Sequence, residues 1–156
     1  MEEKIIRTVQ NSVVNMTELV LPNHTNQLGN LLGGQLMHWI DICAAMSAAR
    51  HSQRVCVTAS VDNIDFHNPA RLGDMVTLKA SVNRAFNTSM EVGVTVRAQA
   101  LTSSKSVRTN SAYLTFVSVD DNGRPTKTFE IVPETEDEIR RYEQALLRRE
   151  NRLKKR

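Results

Sequence analysis

One stretch of this chain constrains its fold more than any other. Gln35 to His51, QLMHWIDICAAMSAARH, holds no Pro and no Gly and is rich in Ala, Met and Leu. Those residues favour helix, and the length allows about four to five turns. Apolar side chains occupy most of its circumference, so the helix belongs in the middle of a fold rather than on its surface.

After that helix the apolar period changes to two. Arg54–Ile64 alternates with Val55, Val57, Ala59 and Val61 on one face. Met75–Val82 does so with Val76, Leu78, Ala80 and Val82, and Met90–Ala100 with Val92, Val94, Val96 and Ala98. Ser111–Val119 is a last strong strand. Turn signals separate these runs at Asn68-Pro69 with Gly73-Asp74, at Asn87-Thr88-Ser89, at Ser103-Ser104 and at Asp121-Asn122-Gly123. Ahead of the helix, residues 5–20 lean to strand until Pro22, and residues 22–34 form a polar, Gly-rich turn region. From Glu134 a second helix begins, with Thr135 and Glu138 spaced as a capping box. Strands joined by short turns predict an antiparallel sheet. One apolar helix and a sheet with one apolar face bury each other, so the fold class is α+β.

At 156 residues the chain is one domain long. Residues 140–156 hold eight Lys or Arg against Glu143 and Glu150, while the body before them is mildly acidic. Residues 135–156 therefore read as a basic C-terminal helix and tail, solvated along its length. Aromatics are 4% of the chain, which argues against base stacking on exposed rings and makes a nucleic-acid partner an unfavoured reading. No apolar run reaches the ~20 residues of a membrane span. Met1-Glu2-Glu3-Lys4 carries acid where a signal peptide has a basic start, so a cytoplasmic location is expected. Cys43 and Cys56 fit no metal spacing and read as buried thiols of a reducing compartment.

Among residues that could do chemistry, Asp41 is the anomaly. It lies between Trp39-Ile40 and Ile42-Cys43, where a carboxylate is costly unless it is paired or functional. Pairing with His38 or with an Arg from a strand would make it purely structural. Seven residues separate it from Gly34, and seven steps of ~100° return to nearly the same helix face. Gly33-Gly34 at the helix start lets a ligand approach the backbone, where the first amides have no intrahelical partner. Such amides suit a carbonyl oxygen becoming an oxyanion, although a Gly pair also makes a simple tight turn. Asn30 is a polar residue of that turn. His24, His38, His51 and His67 show no metal spacing, and no serine-hydrolase elbow or phosphate loop is present.

Gly29-Asn30-Leu31-Leu32-Gly33-Gly34 followed by Gln35-Leu36-Met37-His38-Trp39-Ile40-Asp41 resembles the signature of hotdog acyl-CoA thioesterases. The cytosolic acyl-CoA hydrolase branch is the nearest likeness. Val57-Thr58-Ala59-Ser60-Val61-Asp62, Asp65-Phe66, Ser89-Met90-Glu91-Val92 and Val132-Pro133-Glu134-Thr135-Glu136-Asp137-Glu138 continue the match. The resemblance covers residues from about 15 to 145 and implies a hotdog fold, an antiparallel sheet wrapped round a central helix.

That resemblance also implies roles. Asp41 becomes the catalytic carboxylate, as general base for water or as nucleophile. Gly33 and Gly34 become the amides that hold the thioester oxygen, and Thr58 a hydroxyl beside the water. Asn30 becomes a group contributed by the opposing copy. The turn Asn87-Thr88-Ser89 and Arg108 become contacts for coenzyme A. Leu32 stands where many members carry His, which speaks against a hotdog dehydratase or hydratase. The implied reaction is hydrolysis of acyl-CoA to fatty acid and coenzyme A, the latter a part of the substrate, with no separate cofactor and no metal. A homodimer is expected, assembling to a hexamer as a trimer of dimers. A non-catalytic acyl-CoA-binding regulator is the alternative from another class.

Overall fold

The computed structural model describes residues 5–62 and 64–155. Met1–Lys4, read above as no leader, lies outside the described residues, as do Asn63 and Arg156. In chain order the elements are β1 (Ile6–Thr8), β2 (Val14–Leu19), α1 (Gly33–Ser52), β3 (Cys56–Val61), β4 (Asp74–Ala85), β5 (Ser89–Ala100), β6 (Ser106–Ser118), β7 (Glu130–Val132) and α2 (Glu136–Lys154). Strands β2-β4-β5-β6-β3 form one sheet in that order, antiparallel throughout. The α+β class and the sheet folded over a central helix are as the periodicity predicts.

Period-two patterning positions the core. Val76, Leu78, Ala80 and Val82 of β4, Val92, Val94 and Val96 of β5, and Ala112, Leu114 and Phe116 of β6 are all buried. Helix α1 packs on that face through Leu36, Trp39, Ile40, Cys43, Ala44 and Ala48. Its other side is open in the single chain: Gly34, His38, Ile42, Met46 and Arg50 are exposed. The helix is thus covered on one side only, where its composition predicted burial all round.

Three local departures have physical causes. Residues 5–20 are not one strand, because a 3-10 turn at Val9–Ser12 divides β1 from β2, and β1 pairs in parallel with β7. In β3 a bulge at Thr58–Ser60 interrupts the alternation. Val57 pairs with Val117 and Val61 with Leu114, so those two valines face opposite sides of the sheet rather than one. Cys56 and Thr58 lie opposite Ser118 and Phe116, on the side that faces α1. Cys43 is buried as expected, whereas Cys56 is only half-buried.

Helix α2 is not a solvated tail. The Arg148 guanidinium donates to both carboxylate oxygens of Glu91, with the closest contact 2.7 Å, and Glu91 is 2% exposed. Arg148 also stacks 3.7 Å from the Tyr113 ring, Arg149 lies 4.3 Å from that of Phe86, and Arg152 pairs with Asp62 at 3.3 Å. These residues occupy the sheet face opposite α1. Asn83 Nδ2 donates to Glu91 across Gly93, where any Cβ would stand 2.8 Å from that nitrogen. Half of the expected capping box is present. Thr135 accepts from the Glu138 amide at 3.1 Å, but the Glu138 carboxylate takes the Glu134 amide rather than that of Thr135.

Candidate active site

The first turn of α1 opens with two glycines, Gly33 and Gly34. Leu32 caps the helix without a side-chain bond, and Leu36 N–H reaches the Leu32 carbonyl at 3.1 Å. The amides of Gly33, Gly34 and Gln35 therefore have no intrahelical acceptor, and none is supplied by the other described residues. A Cβ on Gly34 would meet nothing within 4 Å, whereas one on Gly33 would sit 3.6 Å from the Phe66 ring. Three free N–H groups at the positive end of a twenty-residue helix form a cradle for a partial negative charge.

Asp41 lies further along the same helix and is half-buried. Its partner is neither His38 nor an Arg. The Thr58 hydroxyl donates to Asp41 Oδ1 at 2.7 Å, which brings α1 and β3 together through two of the residues singled out in the sequence. The bulge following Thr58 leaves this hydroxyl on the helix side. Asp41 Oδ2 has no partner among the described residues and remains available to accept a proton from water.

Asn30 belongs to a different neighbourhood. It lines a cavity of about 250 Å³ with Asn26, Leu36, Phe66, Asn68 and Asn110, and neither Asp41 nor Thr58 reaches that cavity. The turn itself is organised by Asn26, whose Oδ1 accepts from Leu28 N–H at 2.9 Å and Asn30 N–H at 3.2 Å. Asn26 N–H returns a bond to the Asn30 carbonyl at 2.8 Å. The Asn-x-x-Gly spacing from Asn26 to Gly29 could have drawn attention to Asn26, since Asx side chains of this kind close turns.

The remaining site residues fall at opposite ends of the β5–β6 ladder. The Asn87–Ser89 turn meets β6 at Ser118, whose N–H bonds the Thr88 carbonyl at 2.9 Å, and Ser118 pairs with Cys56 beside Thr58. Ser89 Oγ accepts from Arg149 at 3.2 Å. Arg108 pairs opposite Arg97, bonds Ser111 Oγ, and its carbonyl accepts from Asn68. Turn and arginine are separated by roughly 25–30 Å of strand, at ~3.3 Å per residue. Among the described residues no group of three or more His, Cys, Asp or Glu could hold a metal, and no helix is long and apolar enough to cross a membrane.

The fold and this carboxylate-on-helix arrangement define a class, the hotdog thioester hydrolases, and comparison with known proteins agrees. Residues 28–104 match the Thioesterase superfamily. The chain is 40% identical to the "Uncharacterized acyl-CoA thioester hydrolase YkhA" of Bacillus subtilis over 97% of its own length and 88% of that protein. It is 45% identical to mouse "Acyl-coenzyme A thioesterase 11" over 90% of its length, but spans only 23% of that longer protein. An apo-hexameric acyl-CoA thioesterase superposes with a TM-score of 0.93 at 40% identity, covering 96% of each chain. An acyl-CoA hydrolase of Staphylococcus aureus, solved with butyryl coenzyme A and coenzyme A, superposes at 0.91 with 34% identity, covering 97% of this chain and 92% of that one. The chain belongs to the thioesterase superfamily, among its acyl-CoA thioester hydrolases. The S. aureus enzyme has also been solved as alanine variants of an Asn, an Asp fifteen residues later and a Thr seventeen residues beyond that.

Proposed function

We propose that this protein hydrolyses fatty acyl-CoA to fatty acid and coenzyme A, with Asp41 activating the attacking water and the α1 amides holding the thioester oxygen. The observation that carries this reading is the Asp41–Thr58 pair on the helix whose first turn offers free amides. Water gives a proton to Asp41 Oδ2 as its oxygen adds to the thioester carbon. The Thr58 hydroxyl fixes the carboxylate, and the negative charge gathering on the carbonyl oxygen is met by the Gly33 and Gly34 N–H groups of the opposing copy. Collapse expels the coenzyme A thiolate, and the proton held on Asp41 Oδ2 passes to that sulfur, which restores the carboxylate. No step calls for a metal or a separate cofactor.

Geometry favours a site shared between two copies. An oxygen accepting from the first-turn amides lies beyond the helix end, because those N–H groups point away from its body. Asp41 is eight residues past Gly33, about 12 Å along the axis at ~1.5 Å per residue. A carboxylate reaches a carbonyl carbon through one water over only about 6 Å, two contacts of ~3 Å. Amides and carboxylate of one chain therefore serve different thioesters, and a second copy supplies the complement. Surface for that copy exists: β3 is an edge strand with Val57 49% exposed and Val55 just before it 71% exposed, and Ile42 and Met46 of α1 are exposed as well. The S. aureus variants have the spacing of Asn26, Asp41 and Thr58 here, which sets Asn26 against Asn30 for the amide that faces Asp41 of the opposing copy. A hexamer built from such dimers follows the solved relative. Asn87, Thr88, Ser89 and Arg108 serve coenzyme A, and two free thiols suit a cytoplasmic protein.

Release of free thiol from a panel of acyl-CoA esters tests the activity, and no release from any ester refutes it. Mixing tests the shared site. Asp41→Ala chains and Asn26→Ala chains, inactive alone, are refolded together in equal amounts. Half of the dimers are mixed and half of their sites carry neither lesion, so about a quarter of wild-type activity returns under two-fold pairing. The same mixture with Asn30→Ala decides between the two asparagines. No recovery in either mixture, with mixed dimers seen by native mass spectrometry, refutes sharing.

A further inference from the structure

Helix α1 begins without the side chain that commonly fixes a helix start. Its cap, Leu32, offers no side-chain oxygen to the first amides, where Ser, Thr, Asp or Asn would bond one of them and hold the turn. The missing cap leaves the Gly33, Gly34 and Gln35 N–H groups free for a ligand, and it leaves their direction to be set by other contacts. Two backbone bonds enter here. Leu31 N–H donates to the Ala70 carbonyl and Leu32 N–H to the His24 carbonyl, each at 2.8 Å. The second bond makes the helix start depend on where His24 stands.

His24 is itself held in three ways. Its N–H donates to the Leu21 carbonyl at 2.9 Å. Its ring Nδ1 accepts from the Leu21 N–H at 3.0 Å, which leaves the proton of the neutral ring on Nε2. The ring also meets Trp39 edge to face, with centroids 5.1 Å apart and planes at 82°, an arrangement that aromatic pairs favour. Trp39 is 5% exposed and part of the core, so the far side of this contact does not give. The imidazole thus ties the loop before α1 to the body of α1, and the carbonyl of the same residue receives the amide of the helix cap. No hydrogen bond joins His24 to Asp41 or Thr58 among the described residues.

We infer that His24 is a positioning residue: it aims the Gly33 and Gly34 amides at the thioester oxygen of a site whose carboxylate belongs to the opposing copy. The inference rests on the thioesterase reading above. Charge gathers on that oxygen only as the water oxygen adds to the carbon, so a misaimed cradle weakens the transition state more than the bound ester. Loss of His24 is therefore felt in kcat rather than in KM.

The test measures kcat and KM separately, by thiol release on the whole chain, with the ester that the wild type turns over fastest. His24→Ala loses both ring and acceptor and should lower kcat by about tenfold or more with KM within about twofold. His24→Asn keeps an acceptor for the Leu21 N–H without the ring, and His24→Phe keeps the ring against Trp39 without the acceptor, so each should restore part of the loss. Should His24→Ala fail to fold by its melting curve, those two variants carry the same comparison, each with kcat lowered about threefold. Mixing then shows which side of the site His24 serves. His24→Ala chains refolded with an equal amount of Asp41→Ala chains should return about a quarter of wild-type activity, against about a twentieth from the two homodimers left unmixed. A kcat kept within about twofold in all three variants, a loss carried by KM instead, or no recovery in this mixture where an asparagine mixture recovers would each overturn the assignment while the thioesterase reading stands. Thiol release from no ester by the wild type would remove that reading as well.

Discussion

Helices α1 and α2 lie on opposite faces of one sheet and are held there by different physics. On the inner face α1 buries Trp39, Ile40, Cys43 and Ala44 against valines and leucines, a contact that needs shape and little else. On the outer face α2 is attached by arginines, with Arg148 on Glu91 and Tyr113, Arg149 on Phe86 and Arg152 on Asp62. Burial works against the Arg148 charge, yet the bonds and charge of Glu91 keep its pKa raised. An apolar interface tolerates loss of one contact in proportion to area, whereas an ionic one fails when either partner goes. The lesson is that a helix with a charged surface can still be firmly docked, because long Arg side chains carry apolar stems and flat cations into contact.

The contrast can be broken at either helix. Asp41→Asn should lower turnover at least ~100-fold with an unchanged melting curve, showing that a polar residue on α1 contributes to chemistry and not to packing. Near-normal turnover would make Asp41 structural. On the other face, Arg148→Ala should destabilise by about 3 kcal/mol, read by urea denaturation, because Glu91 is left buried and unpaired. The double change Arg148→Met with Glu91→Leu should recover most of that loss. Gly34→Ala should raise stability by up to ~1 kcal/mol through helix propensity while raising KM, since the methyl points into space kept for substrate. An unchanged KM would leave the glycine to the turn alone.

The smallest effect concerns His51, which is buried at the end of α1 with Nε2 2.8 Å from the Phe129 carbonyl. Burial lowers its pKa below the ordinary 6.5. In acid the unfolded chain takes up this proton first, so the His51 contribution is intact above about pH 6.5 and declines as pH falls through the lowered native value. Melting curves from pH 7 to pH 5 should show that decline, and His51→Gln should flatten it. The sign is the same as that of a carboxylate bonded in the native state, whose contribution is likewise lost in acid.

Much of the inner face was legible in the sequence, because burial there is written as apolar period. The β4 and β5 rows and the length of α1 follow from it directly. Asp41 stood out for the same reason, as the one acid in an apolar helix, and Thr58 was found through the family motif. The outer face was not legible, since nothing in a run of arginines says which of them will meet a buried glutamate 57 positions away in the chain. The bulge in β3 was equally hidden, because alternation on paper continues through a residue that the ladder skips. Asn26 escaped because its side chain acts on backbone within its own turn, where composition shows only polarity. Burial raises the Cys43 thiol to about 11, which matches its reading as an inert core residue.

The parallel pairing of β1 with β7 has a consequence for the order in which the molecule is made. Ile6 aligns with Glu130 and Thr8 with Val132, so two short segments near opposite ends of the chain must meet. Closing so long a loop is entropically unfavourable, and contacts this far apart in sequence slow folding. During synthesis, β1 has no partner until nearly the whole domain has followed it. The meander of β4, β5 and β6, by contrast, is joined by tight turns and can assemble as each strand emerges. The β1–β7 pair is therefore among the last parts of the structure to close.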